Sequence, residues 1–239
     1  MGEGSAMSID TRLYPHWTSS RYCVLRELRR AMQNLVYSYL FPSTVASDNG
    51  MAVDLGCGNM PYRPLFEPYV AQYIGVDLPT NKEADLHFDL QTSKVPLPDD
   101  VAKLIVSTQV LEHVRDPDSY LTEARRLLKS DGFMILSTHG HWKEHPDPLD
   151  YWRWTHDGLQ TLLDRNGWEI IRITGVLGFA PAALQLFQDA IIPKLPPILK
   201  RFFVTFMQSW IHILDRLYSP AGRLHDPSVF VVAAKPKRK

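Results

Sequence analysis

The feature that most restricts the fold is a short apolar segment that runs straight into two glycines. Residues Met51–Leu55 are followed at once by Gly56-Cys57-Gly58. Glycine allows backbone angles that are closed to other residues, and its missing side chain lets a ligand approach the main chain. At the carboxyl end of a parallel strand, such a loop opens the crevice where α/β sheets bind nucleotides. The segment therefore predicts a strand followed by a nucleotide-binding loop or, alternatively, by a plain strand–helix turn.

Short apolar runs recur along the chain between segments of helical periodicity, which is typical of a doubly wound parallel sheet. The run at residues 104–108 is apolar almost throughout, as expected for a strand buried on both faces. The predicted strands are residues 51–55, 73–76, 86–90, 104–108, 133–137, 168–174 and 229–234. The sequence thus predicts an α/β fold with a mostly parallel, seven-stranded sheet.

Helical periodicity marks three further segments, each with a start or stop signal. They are residues 20–40 (capped by Ser19 or Ser20 and followed by Pro42), residues 118–129 (stopped by Asp131-Gly132), and a helix around Leu159, Leu162 and Leu163 (capped by Thr155 and ended by Asn166-Gly167). The first of these helices lies within an N-terminal segment, residues 1–45. We expect this segment to act as a lid on a domain that spans residues 46–239.

The apolar stretch at residues 179–218 predicts a helical insertion, at 179–225, before the last strand. One narrow polar stripe runs along its second half, formed by Arg201, Thr205, Gln208, His212 and Asp215. Four interpretations stay open: ordinary core, a lid over an apolar acceptor, a homodimer interface, or a membrane-surface helix. In the last case the headgroups would be contacted by Lys194, Lys200, Arg201 and Arg216.

Charge and cysteine content exclude several classes of protein. The chain has 26 Lys and Arg against 26 Asp and Glu, so it lacks the basic excess expected of a nucleic-acid enzyme. Cys23 and Cys57 show neither metal spacing nor a disulfide framework. Neither a signal-peptide pattern nor an apolar run of ~18 residues is evident. A cytoplasmic protein without a nucleic-acid partner is expected, with peripheral membrane contact as an alternative.

Acidic residues follow the next two predicted strands in a regular order. Asp77 ends the second strand, at about the distance at which an acidic residue reaches the ribose hydroxyls in dinucleotide folds. Asp89 ends the third and could accept a hydrogen bond from an adenine amino group. Together with Asp54, Gly56 and Gly58, this series favours a nucleoside-containing ligand over a plain turn.

These motifs resemble those of the class I S-adenosylmethionine-dependent methyltransferases, specifically the group related to the ubiquinone- and menaquinone-biosynthesis enzymes. The matching segments are VDLGCGNMP (53–61), IGVDL (74–78), FDLQTSKVPLPDD (88–100), LIVSTQVLEHVRDP (104–117) and YLTEARRLLKSDGFMILST (120–138). They cover about residues 50–170 in order. The resemblance implies a Rossmann-like methyltransferase fold, S-adenosyl-L-methionine as cofactor and S-adenosyl-L-homocysteine as product.

The resemblance also implies roles for individual residues. The methionine part of the cofactor would contact Gly56, Cys57 and Gly58, with Asp54 bracing the loop; the ribose would contact Asp77; the adenine would contact Leu78, Asp89 and Leu90; and the sulfonium would lie beside Gln109 and Val110. His113, in the LEHV turn, is either catalytic or a packed, capping histidine. The chain departs from the pattern of this family directly after the glycine loop, because Pro61, Pro64 and Pro68 make a long helix there unfavourable. That argues against a dinucleotide dehydrogenase, whose helix N-terminus must hold a pyrophosphate.

The segment after the fifth strand carries the candidates for acid–base chemistry on the acceptor. They are His139, His141, His145, Asp147, Asp150, Tyr151 and His156. A histidine acting as general base is the preferred hypothesis, with His139 or His141 ahead. The spacing matches no strong metal-binding pattern, so no metal site is predicted.

Candidate substrate contacts are Tyr14, Trp17, His145, Tyr151, Trp152 and Arg153. The predicted function is O-methylation of a small or lipid- or sugar-linked metabolite. The alternatives are N- or C-methylation of a quinone-like acceptor, or a non-catalytic relative that binds the same cofactor.

Overall fold

The computed structural model describes residues 11–40, 50–89 and 94–237. Its sheet comprises β1 Met51–Leu55, β2 Gln72–Asp77, β3 Leu86–His87, β4 Ala102–Thr108, β5 Leu128–His139, β6 Trp168–Val176 and β7 Val229–Pro236. The strand order is β3-β2-β1-β4-β5-β7-β6, and β7 is antiparallel to both of its neighbours while the other pairs are parallel. The predicted α/β fold with a mostly parallel, seven-stranded sheet is confirmed.

Helices cover both faces of the sheet because the strands are apolar on both sides. They are α1 Tyr22–Leu35, α2 Arg63–Phe66, α3 Pro117–Leu127, α4 His156–Arg165, α5 Phe179–Ile191 and α6 Pro197–Asp215. Leu121 of α3 and Leu159 of α4 share one core with Val53, whereas Met32 of α1 packs with Ile135 on the opposite face. Within the described residues, no helix is both long and apolar enough to span a bilayer.

The expected stop of α3 at Asp131-Gly132 is wrong. Helix α3 ends at Leu127, and β5 begins at the next residue and runs through both positions. Leu128 pairs with Ala102 of β4, and Asp131 forms an ion pair with Lys103. Pairing with β4 resumes at Phe133 and Leu104, so Asp131-Gly132 lies in a register shift inside β5 and does not end the helix. The third predicted strand is shorter than expected, ending at His87.

Helices α1 and α4 differ in how their first backbone amides are satisfied. Thr155 caps α4 as predicted, its hydroxyl accepting from Gly158 N at 3.1 Å. Helix α1 has no side-chain cap of its own, so the predicted Ser19 or Ser20 cap is wrong. Instead, Gln208 of α6 accepts from Cys23 N at 2.9 Å through Oε1. A residue 185 positions away therefore caps the start of α1.

The insertion is helical as predicted, but its polar stripe faces inward. Gln208 and Asp215 are buried, while Phe202 and Phe206 of the same helix are 73% and 60% exposed. Of the four interpretations left open, ordinary core packing therefore describes only one side of this helix. Helix α6 packs against the rest of the protein through Gln208 and Asp215 together with Val204, Met207 and Ile211, and most of its large aromatic side chains remain at the surface.

Three buried glutamines hold the insertion against α1, and we call them, with the Ser20 carbonyl they share, the glutamine cluster. The Nε2 atoms of Gln185, Gln188 and Gln208 each lie 2.8–2.9 Å from Ser20 O, to which Gln185 and Gln188 donate. Gln208 Nε2 also lies within 3.0 Å of Oε1 of the other two. The side-chain amides of this cluster thus all have partners inside the protein, as buried polar groups require.

Candidate functional site

A cavity of about 1130 Å³ opens at the carboxyl ends of β1, β2, β4 and β5. This is the edge at which open α/β sheets bind ligands. One wall carries the glycine loop and Asp77, and the opposite wall carries His113, His139 and His145. The N-terminal segment contributes Arg12 among other lining residues. The fold therefore brings the two sets of sequence-predicted groups to one space.

The glycine loop has the backbone geometry that its sequence indicates. Gly56 and Gly58 have φ angles of 73° and 53°, in the left-handed region that favours glycine. A Cβ atom on Gly56 would lie 2.5 Å from a methyl of Val110, so a side chain is sterically excluded there. Among the residues between 11 and 237 that the structure describes, a Cβ on Gly58 would meet only the Arg12 guanidinium, at 3.9 Å. The bare main chain at Gly58 therefore leaves room for a ligand.

Asp77 ties this loop to the second strand. Its Oδ2 accepts from Gly58 N and from Asn81 Nδ2, each at 2.8 Å, and its Oδ1 accepts from Leu78 N at 2.7 Å. A carboxylate has about four lone-pair sites, so one remains on Oδ1 for a ligand hydroxyl. Asp77 therefore shapes the loop as well as facing the cavity, a second role that the sequence did not suggest.

Asp54 lies behind the loop and is buried. Its Oδ2 accepts from the Tyr73 hydroxyl at 2.7 Å, whereas Oδ1 has no hydrogen-bond partner in the described structure. Burial raises the pKa of this carboxyl to about 7, against the opposing effect of the Tyr73 hydrogen bond. Asp54 does not line the cavity, so it can act on the loop only from beneath.

The other candidate cofactor contacts fall as follows. The cavity is lined by Cys57, Leu78, Asp89, Gln109 and Val110, whereas Leu90 lies outside the described residues. Gln109 has a φ of 58° and donates from its backbone to Ser137 O at 2.9 Å, which directs the chain across the cavity floor. Arg12 and Asn81 were missed because each stands outside any recognisable motif.

The histidine wall is formed by rings in mutual contact. His139 is 5% exposed and stacks on Trp142, with ring centroids 5.1 Å apart and planes 4° from parallel. The ring of His145 meets His113 and His139 edge-on, each at 4.8 Å between centroids. Burial, together with the charges of His145 and Arg153, holds the pKa of His139 well below its usual value. The imidazole of His139 is therefore neutral at pH 7.

Glu112 completes this wall from below, and sequence reasoning missed it. Its side chain is fully buried, and Oε2 accepts from the Thr138 hydroxyl at 2.8 Å. Oε1 lies 3.2 Å from His139 Nε2 but has no hydrogen-bond partner in the part of the chain that the structure describes. The signal was present, since Glu112 sits within the LEHV turn that singled out its neighbour His113. We call Glu112, His113, His139 and His145 the carboxylate–imidazole cluster.

Several predicted residues lie outside the cavity lining. His141 is 46% exposed in its side chain and pairs with Asp226 at 3.0 Å. Tyr14 and Trp17 are 56% and 51% exposed. Of the aromatic segment after β5, Tyr151 lines the cavity, as does the predicted His145.

The two remaining substrate candidates have structural partners instead. Trp152 Nε1 donates to Val114 O at 2.8 Å. Arg153 pairs with Asp150 at 2.6 Å and donates to the Trp142 carbonyl at 2.9 Å. Arg153 thus links different parts of the loop after β5 to one another.

Comparison with known proteins places this geometry in a family. The model of a family described as "methyltransferase domain" matches residues 24–172. The chain belongs to this methyltransferase domain family. A curated relative from Mycobacterium tuberculosis, named a "probable S-adenosylmethionine-dependent methyltransferase", is 28% identical over 112 residues. That match covers 44% of this chain and 40% of the relative, so the chain spans about two fifths of the length of the relative it matches.

Solved structures share the fold at low sequence identity. An S-adenosylmethionine-dependent methyltransferase from Mesorhizobium loti superposes with a TM-score of 0.55 at 15% identity, covering 91% of this chain and 98% of its own. A Haemonchus contortus phosphoethanolamine N-methyltransferase, solved with S-adenosylhomocysteine, gives 0.51 at 12% identity, covering 93% of this chain and 60% of its own. The [4+2]-cyclase SpnF gives 0.55 at 18%, covering 90% and 84%. The fold alone therefore hosts more than one reaction.

S-adenosylmethionine is the cofactor that the family and its relatives support. The residues present fit it. Gly58 leaves a bare backbone cradle, Asp77 retains a lone pair toward the cavity, and α2 is only four residues long. So short a helix offers little to a pyrophosphate, which this cofactor lacks.

Proposed function

We propose that this chain is a methyltransferase that moves the methyl group of S-adenosylmethionine to an oxygen of a small or lipid- or sugar-linked acceptor. The observation that carries the proposal is that one cavity is lined both by the glycine loop and by three imidazoles. Methyl transfer is a displacement that requires donor and acceptor in line, and a group to take the acceptor's proton. When bound, the cofactor supplies a methyl group already activated by its positively charged sulfur.

The glycine-loop wall is the proposed cofactor side. The main chain at Gly58 would contact the methionine part, with the Arg12 guanidinium close enough to pair with its carboxylate. Asp77 would accept from the ribose through the open lone pair of Oδ1. Leu78 and Asp89 would contact the adenine. These assignments follow the order of the strands from which the residues come.

His139 is the proposed general base on the opposite wall. Its low pKa keeps the ring unprotonated at neutral pH, so that it can accept a proton as the acceptor's O–H bond breaks and the O–CH₃ bond forms. Stacking on Trp142 holds the plane of the ring. His141, the other leading candidate from the sequence, does not line the cavity and is left out of this proposal.

The acceptor is proposed to carry an apolar part. Apolar side chains line the cavity beside the histidine wall, namely Val24, Leu25, Leu28, Trp142 and Leu149. They suit a hydrocarbon or ring portion next to the reacting oxygen. Closer kinship with the quinone-biosynthesis methylases, and hence N- or C-methylation, is the alternative, and a non-catalytic cofactor-binding protein is a second one.

Cofactor binding is tested by thermal unfolding with S-adenosylmethionine and S-adenosylhomocysteine. A ligand that binds only the native state raises its stability by about 2.7 kcal/mol at 100 times Kd. We expect both compounds to raise Tm, and Gly58→Val to abolish the shift because its side chain would fill the cradle. Absence of any shift at millimolar ligand would contradict the proposal.

The base is tested by turnover to S-adenosylhomocysteine across a panel of hydroxylated, aminated and quinone acceptors. A lost general base should lower kcat about 100-fold or more in His139→Asn. His225→Asn, at an exposed position away from the cavity, is the matched control. A variant that binds cofactor but turns over at the wild-type rate would remove His139 from the reaction, and a loss in His141→Asn alone would transfer the role.

A further inference from the structure

We propose that the carboxylate–imidazole cluster binds a divalent transition-metal ion through Glu112, His113 and His145. One ligand atom from each of these residues lies within 4.8 Å of the other two. Ligands at about 2.0–2.2 Å from one ion lie at most ~4.4 Å apart, so only a small closure is needed. The site is not confined to the histidine-rich segment after the fifth strand, because Glu112 and His113 come from the turn after β4.

The tautomers of the two histidines suit metal binding. His113 Nδ1 lies 2.6 Å from Leu149 O and is therefore the protonated nitrogen. His145 Nδ1 lies 3.3 Å from Lys143 O and 3.4 Å from an Asp150 carboxylate oxygen. In both rings Nε2 then keeps its lone pair. Metal-bound histidines show this arrangement, in which the second nitrogen donates to a carbonyl or carboxylate.

Glu112 supplies the independent observation that points to a ligand. Its side chain is fully buried, Thr138 satisfies Oε2, and Oε1 has no hydrogen-bond partner within the described residues. A buried carboxylate oxygen without a partner is unfavourable unless a proton or a cation compensates it. An ion between Oε1 and the two imidazoles would supply that compensation.

Two imidazoles and one carboxylate are the ligand set of catalytic zinc sites and of the iron(II) facial triad. Both keep open coordination positions. Here His113 and His145 line the cavity, so the open positions would face the acceptor. This part of the inference rests on the proposed function: the chemical class of ligand is a hydroxyl or phenol oxygen, held by the ion in line with the methyl donor.

The test is titration of the chelator-treated full chain with Co²⁺, followed by visible absorption and calorimetry. We expect one Co²⁺ per chain, and affinity at least 10-fold lower in Glu112→Gln and in His145→Ala. His225→Asn should bind as the wild type does. No binding by the wild type, or unchanged binding in both cluster variants, would overturn the proposal.

A Tm shift with S-adenosylhomocysteine shows that each variant is folded, and it separates the two proposals. A wild-type chain that shows the Tm shift but binds no Co²⁺ would remove only the metal site. Co²⁺ binding without any shift leaves the metal site standing and removes the methyltransferase proposal.

A separate observation carries a second proposal: most of the exposed side chains of α6 are large and apolar. Its exposed positions recur at helical spacing, with fractional exposures of 76% for Ile198, 73% for Phe202, 60% for Phe206, 46% for Trp210 and 50% for Ile213. Phe187 of α5 adds a further exposed ring. Apolar patches of this extent mark interaction surfaces in native proteins.

The charged residues around this face of α6 indicate what it binds. We infer that the face docks on an anionic lipid surface. Cationic side chains flank it at both ends, namely Lys194, Lys200, Arg201 and Arg216. The sole acidic residue of α6, Asp215, is buried against Arg223. An apolar helix face bordered by cations is the pattern of helices that lie in the interface of anionic membranes.

Vesicle co-sedimentation tests this surface, using phosphatidylcholine alone or mixed with phosphatidylglycerol. We expect binding to the mixed vesicles, and at least 10-fold weaker binding by Phe202→Ser/Phe206→Ser. Ile171→Ser, at a 37% exposed apolar position on β6, is the matched control and should bind normally. Equal binding by the double variant would overturn the proposal. A wild-type dimer in light scattering that the double variant loses would also overturn it, assigning the face to a second copy.

Discussion

The glutamine cluster and the carboxylate–imidazole cluster are both buried and polar, yet they are satisfied to different degrees. In the first, Gln185, Gln188 and Gln208 bond to one another and to Ser20. In the second, Glu112 Oε1 has no hydrogen-bond partner among the described residues. A cluster whose polar groups are all hydrogen-bonded stabilises and orients the elements that it joins. A cluster with unpaired polar atoms can bind a ligand through those atoms. The difference separates a structural polar cluster from a candidate functional one.

The largest loss in the free energy of unfolding is expected from a substitution in the glutamine cluster. Gln208→Leu leaves Cys23 N and the amide oxygens of Gln185 and Gln188 short of a partner. Since each buried unsatisfied group costs about 1–3 kcal/mol, we expect a loss of ~4 kcal/mol in the free energy of unfolding. Urea denaturation measures it, with Thr205→Ala on the same helix as control. A loss below ~0.5 kcal/mol would show that the cluster is not structural.

Asp54 resembles the unsatisfied cluster, because its Oδ1 has no hydrogen-bond partner in the described structure. We expect its carboxyl group to make the free energy of unfolding depend on pH. Its folded pKa, about 7, lies above the unfolded value near ~3.9, so the folded protein binds the proton more tightly. Its contribution to stability is therefore full below about pH 4 and is lost as pH rises toward 7. Relative to Asp54→Asn, the wild type should lose roughly 2–3 kcal/mol between pH 5 and pH 7.

Urea midpoints at a series of pH values measure this slope. The amide variant keeps an acceptor for the Tyr73 hydroxyl, so it removes the charge and preserves the hydrogen bond. Asp157→Asn, at a side chain 96% exposed, controls for the loss of one negative charge. If the free energy of unfolding changed with pH in the same way for Asp54→Asn and the wild type, the prediction for Asp54 would be wrong.

A smaller effect is expected where a helix is capped by its own neighbour. Thr155→Ala removes the hydroxyl that accepts from Gly158 N and should cost about 1 kcal/mol. Water can replace this cap because the bond is exposed, unlike the buried one between Gln208 and Cys23. If Thr155→Ala proved as costly as Gln208→Leu in the same urea assay, burial would not be the deciding factor.

The smallest effect is expected on the outer side of α6. Phe206→Ser replaces a ring that is 60% exposed, so the free energy of unfolding should change by less than ~0.5 kcal/mol. Thermal unfolding of the monomer in dilute buffer measures this. A clear loss of stability would mean that the apolar face packs within the chain, and the contrast between the two sides of α6 would fail.

Local sequence patterns were sufficient for the elements whose signals lie close together in the chain. The strand Met51–Leu55 was predicted with its observed bounds, because its apolar run and the two glycines are adjacent. Helix α4 begins after Thr155 and ends before Gly167, whose φ is 74°, as its capping residues indicate. In each case a few neighbouring residues fix the backbone.

Tertiary structure decided the features in which distant residues supply the partner. The start of α1 depends on Gln208, and the course of β5 through Gly132 depends on β4. His139 enters the cavity while His141 does not, since the strand ends at His139 and the next amides bond to Ser228 and Pro227. The burial of Glu112 likewise comes from elements that meet only in the fold. Hydrogen bonding and desolvation act on spatial neighbours, which a linear pattern does not record.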